Sequence, residues 1–383
     1  MNIFKKVIIF GLTFLGTLAG LDVYLQLAEI QTPMETRIDP QLGPTYIPNK
    51  LITRFNEGFF MGSANEFGYM GPAVPPRRRG TERRILLLGD SFVLGHTVLP
   101  RHYFGRYLEE NLGRATGEEV YALDFGKADF NFGNMYQYYQ DFAGNFDHDL
   151  ALFFVGESDL VPTGQVVSKL YPTVSLQGDS IVIDKNFRSS KTYRFYKTVE
   201  PVFTRSAVLR LVFNTYKIIN SGSWIVVVLD KFAPSYYQSG GEPAPPIPPE
   251  PKELPELSRA ILRGLAKDSR NILVIQTKLA PELLAEVKAS GLPLIDLGAY
   301  LESLRAGGED PYYWPVTGMR GHWNHASQTL NGKFLADQIM SRKLFSPIQI
   351  RPAEKSRGFL SKAELSHRSR FRGELRDRAA QGH

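Results

Sequence analysis

The sequence predicts a three-layer α/β/α domain in which helices cover both faces of a doubly wound, mainly parallel five-stranded sheet. Five short apolar runs are bounded by charged residues or glycine, which is typical of strands buried on both faces. Helical segments alternate with these runs along the chain. The 383 residues are 43 % hydrophobic and 22 % charged, as in ordinary globular proteins. Cysteine is absent, which excludes disulfides, thiolate metal sites and a cysteine nucleophile.

The strands and helices follow one another in regular order. The predicted strands are residues 84–88, 120–123, 150–154, 272–275 and 292–296. The predicted helices are residues 104–112, 134–142, 257–265, 281–289 and 329–343. An insertion at about 165–255, a possible lid or cap, separates the third strand from the fourth. It contains a predicted hairpin at 176–185, a helix at 206–219 and a proline-rich linker at 240–255. Its apolar run 224–229 is either a buried strand or part of a lid or membrane-facing element.

The N-terminus has the layout of an export signal. Lys5 and Lys6 precede an uncharged apolar run that ends at Asp22. With cleavage near residues 17–19 the protein would be secreted. Extended to Ile30, the run is long enough for a transmembrane helix with the lysines in the cytoplasm. We expect this anchor, with the main domain in the periplasm or another extracytoplasmic space.

The chain divides into four expected segments. Residues 1–31 are expected to form the signal-anchor, 32–81 an irregular approach segment, 82–345 the α/β domain and 346–383 a basic tail, either disordered or a surface helix. Residues 351–383 hold nine Lys and Arg against four Asp and Glu, so they carry five of the six net positive charges. The basic isoelectric point of the chain therefore comes from the tail and not from the α/β domain. Because the protein is expected to be exported, we do not expect it to bind nucleic acid.

A serine follows the first predicted strand, in the run Gly89-Asp90-Ser91. In parallel α/β sheets, ligands bind beyond the carboxyl ends of the strands. A serine at a strand-to-helix turn exposes its hydroxyl, and the amide groups of the turn would favour an oxyanion. The alternative is that Asp90 or Ser91 only caps a helix.

A histidine, His322, precedes the last predicted helix in the run 321–324. This loop should lie at the same edge of the sheet as Ser91. A serine and a histidine are sufficient for general-base activation of a hydroxyl nucleophile.

These two runs resemble blocks of the SGNH (GDSL) hydrolase superfamily. Residues 85–91 are similar to its first block, residues 321–324 to the His-Trp-Asn form of its last block, and residues 65–69 to the leader of membrane-anchored bacterial members. The resemblance implies that Ser91 is the nucleophile and His322 the base, with Asp90 and Asn324 in supporting positions. It implies esterase, lipase, deacetylase or O-acyltransferase chemistry without a cofactor, and no metal site is expected.

The oxyanion hole departs from the family pattern. The resemblance implies three donors: the backbone N–H of Ser91, a glycine N–H and an asparagine side chain. The glycine position is occupied by Asp129, with Gly126 and Gly133 as close alternatives, and the asparagine position by Ser158. A serine hydroxyl is a shorter donor, and the loss of one donor costs about a hundredfold in rate.

The acid of the triad is also missing from its usual place. The family has an aspartate two or three residues before the histidine, where this chain has Arg320 and Met319. Glu309 or Asp310 could substitute only if the loop folds back. The sequence therefore predicts a Ser–His dyad in which a backbone carbonyl orients the histidine.

Together these features indicate an exported serine ester hydrolase or O-acyltransferase that acts on an acylated envelope carbohydrate or a small ester. The alternative is a catalytically degenerate member that serves as a binding or assembly factor in the envelope. A lipase with a lid is a third hypothesis. The sequence does not indicate an oligomeric state.

Overall fold

The N-terminal part of the chain is a long apolar helix followed by two small hairpins. A computed structural model describes residues 2–28, 35–55, 57–161, 170–220 and 253–345. Helix α1 (Ile3–Leu27) is long and apolar enough to cross a membrane, although a signal sequence has the same properties. The predicted apolar run 224–229, nearly all of the proline-rich linker and the whole basic tail lie outside the described residues.

The approach segment is more regular than its composition predicts. Strands β1 (Thr36–Asp39) and β2 (Gly43–Tyr46) form one antiparallel pair, and β3 (Leu51–Arg54) and β4 (Phe60–Ser63) form a second. Ile52 and Phe60 are buried in a small apolar cluster of their own. This local core explains why a segment rich in Pro, Gly and Asn nevertheless forms strands.

The central sheet confirms the predicted fold class. Its strands are β5 (Arg83–Leu88), β6 (Val120–Asp124) and β7 (Leu150–Val155), followed after the insertion by two more. All the pairs are parallel, and the order from one edge is fifth, fourth, third, first, second in sequence. This is one of the two common doubly wound orders, and its crevice lies beyond the carboxyl ends of the strands.

Helices cover both faces of the sheet. Strand β5 is buried throughout, with Leu86 and Leu88 in one core cluster and Ile85 and Leu87 in the other, as strand alternation requires. The helices of the first half are α2 (Ser91–Leu94), α3 (Phe104–Thr116), α4 (Phe132–Asp141) and α5 (Glu157–Leu160). Helix α3 packs on the face of Ile85, and α4 packs on the opposite face.

The insertion contains the predicted hairpin and helix. Strands β8 (Thr173–Gln177) and β9 (Ser180–Asp184) turn at Gly178, whose φ of +60° favours glycine. Two helices follow, α6 (Lys191–Phe203) and α7 (Ala207–Asn220).

The second half of the domain completes the sheet and its two helical layers. Its elements are α8 (Glu256–Leu265), β10 (Asn271–Ile275), α9 (Pro281–Ala289), β11 (Leu294–Asp296), α10 (Leu297–Ala306), the short pair β12 (Tyr313–Trp314) and β13 (Met319–Arg320), and α11 (His325–Ser341). The last helix begins four residues earlier than predicted, because the Asn324 side chain accepts a hydrogen bond from the Ser327 N–H.

Candidate active site

The two residues singled out from the sequence lie side by side. Ser91 is the first residue of α2, directly beyond β5, and His322 lies in the loop before α11. The Ser91 Oγ is 2.8 Å from His322 Nε2, although 231 positions separate the two residues in sequence. Gly89 permits the tight turn, since a Cβ there would lie 2.2 Å from Val93 Cγ2.

The residue that orients His322 is Glu57, which the sequence analysis missed. Glu57 Oε2 lies 2.8 Å from His322 Nδ1 and accepts a 2.9 Å hydrogen bond from the His322 backbone N–H. A proton on Nδ1 is thereby fixed toward the carboxylate, which leaves Nε2 as an acceptor for the Ser91 hydroxyl. The expected dyad is therefore corrected to a Ser91–His322–Glu57 arrangement.

The predicted substitutes for the acid are engaged elsewhere or exposed. Asp310 Oδ2 forms an ion pair of 2.6 Å with Arg320, the residue that stands where the family has its aspartate. Glu309 is exposed. This ion pair joins the two ends of the segment 310–320. The carboxylate that contacts the His322 ring is therefore that of Glu57 and not that of Asp310.

Glu57 is held by contacts between two hairpins. It lies in the turn between β3 and β4, and its carbonyl accepts a 2.8 Å hydrogen bond from Thr317 Oγ1 in the turn between β12 and β13. A Cβ at Gly321 would lie 2.0 Å from Glu57 Oε1, and one at Gly58 would lie 2.2 Å from the Thr97 carbonyl. The two glycines are therefore required for the close approach of the carboxylate to the histidine loop.

Further contacts hold the imidazole ring of His322 and the backbone that carries it. Phe92 packs against the ring at a centroid distance of 4.8 Å. The His322 carbonyl accepts a 2.9 Å hydrogen bond from Trp314 Nε1.

Asn324, predicted to support the site, anchors the loop through Nδ2, which donates to the carbonyls of Asp310 and Tyr313 at 2.8 and 2.9 Å. Asp90 supports the turn in a similar way, because its carboxylate accepts a 2.9 Å bond from the Phe92 N–H.

The loop after β6 lies against the nucleophile turn. The Lys127 N–H donates to the Gly89 carbonyl at 3.0 Å, and a Cβ at Gly126 would lie 2.4 Å from the Leu94 nitrogen. Asp129 in this loop has a φ of +62°, a conformation that glycine adopts freely and that aspartate tolerates better than most residues. Gly126 and Gly133 do not have a positive φ. The assignment of the family's glycine position to Asp129, with Gly126 and Gly133 as alternatives, stays a prediction.

The third expected donor lies beyond the next strand. Ser158 is an exposed residue of α5, which follows β7. Because β5 pairs with β6 on one side and β7 on the other, Ser91, Asp129 and Ser158 follow three adjacent strands at one edge of the sheet. Their roles as oxyanion donors remain predictions.

A pair of carboxyl groups lies at this edge, with Asp159 buried and Asp90 partly exposed. Asp159 Oδ2 accepts hydrogen bonds from the Gly156 N–H at 2.7 Å and from Gln276 Nε2 at 3.2 Å, and Gln276 also bonds Asp90. Burial raises the pKa of Asp159 to about 8, and the neighbouring carboxylate of Asp90 adds to this effect. Burial likewise raises the pKa of Asp90. Gln276, at the end of β10, carried no sequence signal.

The raised pKa of Asp159 predicts a pH-dependent stability. A carboxyl group with a folded pKa near 8 and an ordinary value of 3.8 stabilises the fold fully below pH 3.8, and this contribution is lost as the pH rises to about 8. We expect the free energy of unfolding of the native chain to fall between pH 4 and pH 8 relative to that of Asp159→Asn. Urea unfolding at several pH values measures this difference, and parallel pH profiles for the two proteins would contradict it.

Comparison with known proteins gives matches among solved structures only. No family model matches the chain, and no curated protein matches it. A lipase/acylhydrolase from Enterococcus faecalis is 14 % identical over 70 % of this chain and 99 % of that chain, with a TM-score of 0.34. A putative lipolytic protein of the G-D-S-L family from Desulfitobacterium hafniense DCB-2 is 11 % identical over 66 % and 98 %, with a TM-score of 0.25. The carbohydrate acetylesterase Est24 from Sinorhizobium meliloti is 13 % identical over 68 % and 99 %, with a TM-score of 0.29.

These identities and TM-scores are too low to carry an argument about activity. The structure itself shows a doubly wound, parallel α/β fold with Ser91 and His322 in contact at one edge of its sheet. Together with the sequence blocks, this arrangement resembles the SGNH (GDSL) hydrolase superfamily.

Proposed function

We propose that this chain is an exported, membrane-anchored serine esterase that uses Ser91 as nucleophile, His322 as general base and Glu57 as the acid that orients the base. The observation that carries the proposal is the continuous hydrogen-bonded line from Glu57 through His322 Nδ1 and Nε2 to the Ser91 hydroxyl. A catalytic triad is identified by this geometry and by the roles of its members rather than by their order in the sequence.

The proposed reaction is a two-step acyl transfer. The Ser91 hydroxyl attacks the ester carbonyl while His322 Nε2 takes its proton, and the Glu57 carboxylate stabilises the imidazolium that forms. The proton then passes to the departing alcohol, which leaves an acyl group on Ser91. A water molecule, or a sugar hydroxyl in the transferase variant, next attacks the acyl-serine while His322 takes its proton. The bond between the acyl group and Ser91 Oγ then breaks, His322 returns the proton to Ser91 Oγ, and the acid or the acylated sugar leaves. The backbone N–H groups of Ser91 and Asp129 and the hydroxyl of Ser158 are proposed to bind the oxyanion.

Exposed apolar residues on the two hairpins around Glu57 favour a substrate with an apolar or ring-shaped part. Phe55 and Phe59 flank Glu57 in sequence, and their rings are 5.0 Å apart. Val316, in the turn between β12 and β13, is 96 % exposed, and Tyr313 is also exposed. These exposed aromatic and aliphatic side chains belong to the two hairpins that hold Glu57, and such groups suit the acyl group or the face of a sugar ring. We propose an acylated envelope carbohydrate or a small ester as the substrate.

The proposal is tested by turnover of a short-chain aryl ester and of an O-acetylated oligosaccharide with the full chain in detergent. We expect hydrolysis of the aryl ester, with release of one acid per alcohol. If the full chain binds the oligosaccharide but hydrolyses neither substrate, the esterase is excluded and the alternative, a non-catalytic envelope binding factor, is supported. Transfer of the acetyl group to an added sugar would identify the O-acyltransferase variant.

A further inference from the structure

Helix α1 is joined to the folded domain by specific hydrogen bonds at its C-terminal end. Asp22 Oδ1 accepts bonds from Ser206 Oγ at 2.7 Å and from the Val208 N–H at 2.9 Å, so it caps the first turn of α7. Gln26 Nε2 donates to the Arg205 carbonyl at 3.2 Å. Leu25 is buried. The charge that interrupts the apolar run of α1 therefore has partners in the domain, and the start of α7 lies beside residues 22–26.

Helix α7 presents an apolar stripe to its surroundings. The members of this stripe recur at helical spacing and are each between 42 % and 61 % exposed: Leu209, Val212, Tyr216 and Ile219. The other side of α7 is used for packing, because Ala207 and Arg210 are buried and Phe213 contacts Phe203 of α6 at 5.1 Å between ring centroids. The stripe thus lies on the side of α7 that turns away from the domain.

The end of α1 also exposes apolar residues. Val23, Tyr24 and Leu27, at the end of α1, are each more than half exposed. From Val7 to Leu21 a helix rises about 22 Å, and from Val7 to Leu27 about 31 Å, which is close to the thickness of a bilayer core. With α1 inserted, residues 22–26 and the first turn of α7 would therefore lie near the outer boundary of the hydrocarbon region.

We propose that α7 is an interfacial helix that lies along the outer surface of the bilayer crossed by α1, with its apolar stripe in contact with the lipid. Phospholipid is the partner that fits this stripe. The stripe begins where α1 reaches the outer boundary of the hydrocarbon region, and its residues are of the kind found on the apolar face of membrane-surface helices. This contact rests on the insertion of α1. It is independent of the esterase chemistry, whose assay in detergent succeeds or fails separately.

The absence of cysteine makes this contact directly measurable. A single cysteine at Val212 is labelled with an environment-sensitive fluorophore, and the full chain is reconstituted into phosphatidylethanolamine and phosphatidylglycerol vesicles. A cysteine at Leu15, within α1, reports insertion, and one at Arg114, an exposed residue beside Glu110 on α3, is the aqueous control. We expect a blue-shifted emission at position 212 and its quenching by spin-labelled lipid to at least half of the quenching at position 15, with none at position 114.

Three results would overturn the proposal. Quenching at position 15 with a value at 212 equal to that at 114 would show an anchor without an interfacial helix. A lack of quenching at position 15 would show that α1 is not inserted. A blue shift at 212 without quenching would show that protein covers the stripe, and cross-linking between two cysteines at 212 would identify a second copy as the occupant.

Discussion

Replacement of Glu57 by glutamine is expected to lower kcat for ester hydrolysis by about 10⁴-fold with little change in KM. Glutamine preserves the shape of the side chain but can present an amide N–H₂ group to His322 Nδ1. That contact favours the tautomer with the proton on Nε2, which can no longer accept the proton of Ser91. The effect falls on kcat because the lost interaction strengthens in the transition state.

The matched control for this variant is Glu309→Gln. It makes the same chemical change at an exposed residue that the sequence placed among the candidates for the acid. We expect its kcat to stay within about twofold of the native value, as for a surface substitution. A large loss in Glu309→Gln together with near-native activity in Glu57→Gln would refute the assignment of Glu57.

Replacement of Ser91 by alanine is expected to remove hydrolysis almost completely, with a loss of about 10⁶-fold in kcat. The reason is that no other hydroxyl occupies the position 2.8 Å from His322 Nε2 among the described residues. The residual rate should come from binding and from the oxyanion donors alone. Single-turnover kinetics with an aryl ester measure the loss and detect any acyl-enzyme burst.

The variant Ser158→Ala is the graded comparison for this experiment. It removes one proposed oxyanion donor and leaves the nucleophile and two backbone donors, so we expect a loss of about 10²-fold in kcat. If Ser158→Ala has no effect, the side chain does not contact the oxyanion. If Ser91→Ala retains the native rate, the serine-esterase proposal fails.

The central sheet could be predicted because its signals are local. Ile85–Leu88 and Leu150–Val155 are continuous apolar runs, and both proved to be buried on both faces. Strand order also predicted that Ser91 and His322 lie at the same edge of the sheet, since loops beyond parallel strands meet there. The 2.8 Å distance between their side chains became known only from the structure.

Glu57 could not be found in the same way. It lies in a hairpin outside the α/β domain, and the contact with His322 joins residues 265 positions apart. Its only sequence signal is the pair Glu57-Gly58 between two short runs, which pair as β3 and β4. The substitution of Arg320 for the usual acid indicated that a partner was missing, and the packing of Gly321 against Glu57 shows where the partner lies.

The role of Asp22 was hidden for a related reason. In the sequence it appears as a single charge that shortens an apolar helix. In the structure its carboxylate binds Ser206 and the first turn of α7, 184 and 186 positions away. A charged residue within an apolar run has no visible partner until the tertiary contacts are known.

Labelling of the full chain with a fluorophosphonate ester tests the central claim most directly, because this reagent reacts with a serine only when a general base activates it. We expect one adduct per chain on Ser91, located by mass spectrometry, and at least a hundredfold slower labelling in Glu57→Gln. An absence of labelling in the native chain, or equal labelling in Ser91→Ala, would contradict the assignment of Ser91 as an activated nucleophile.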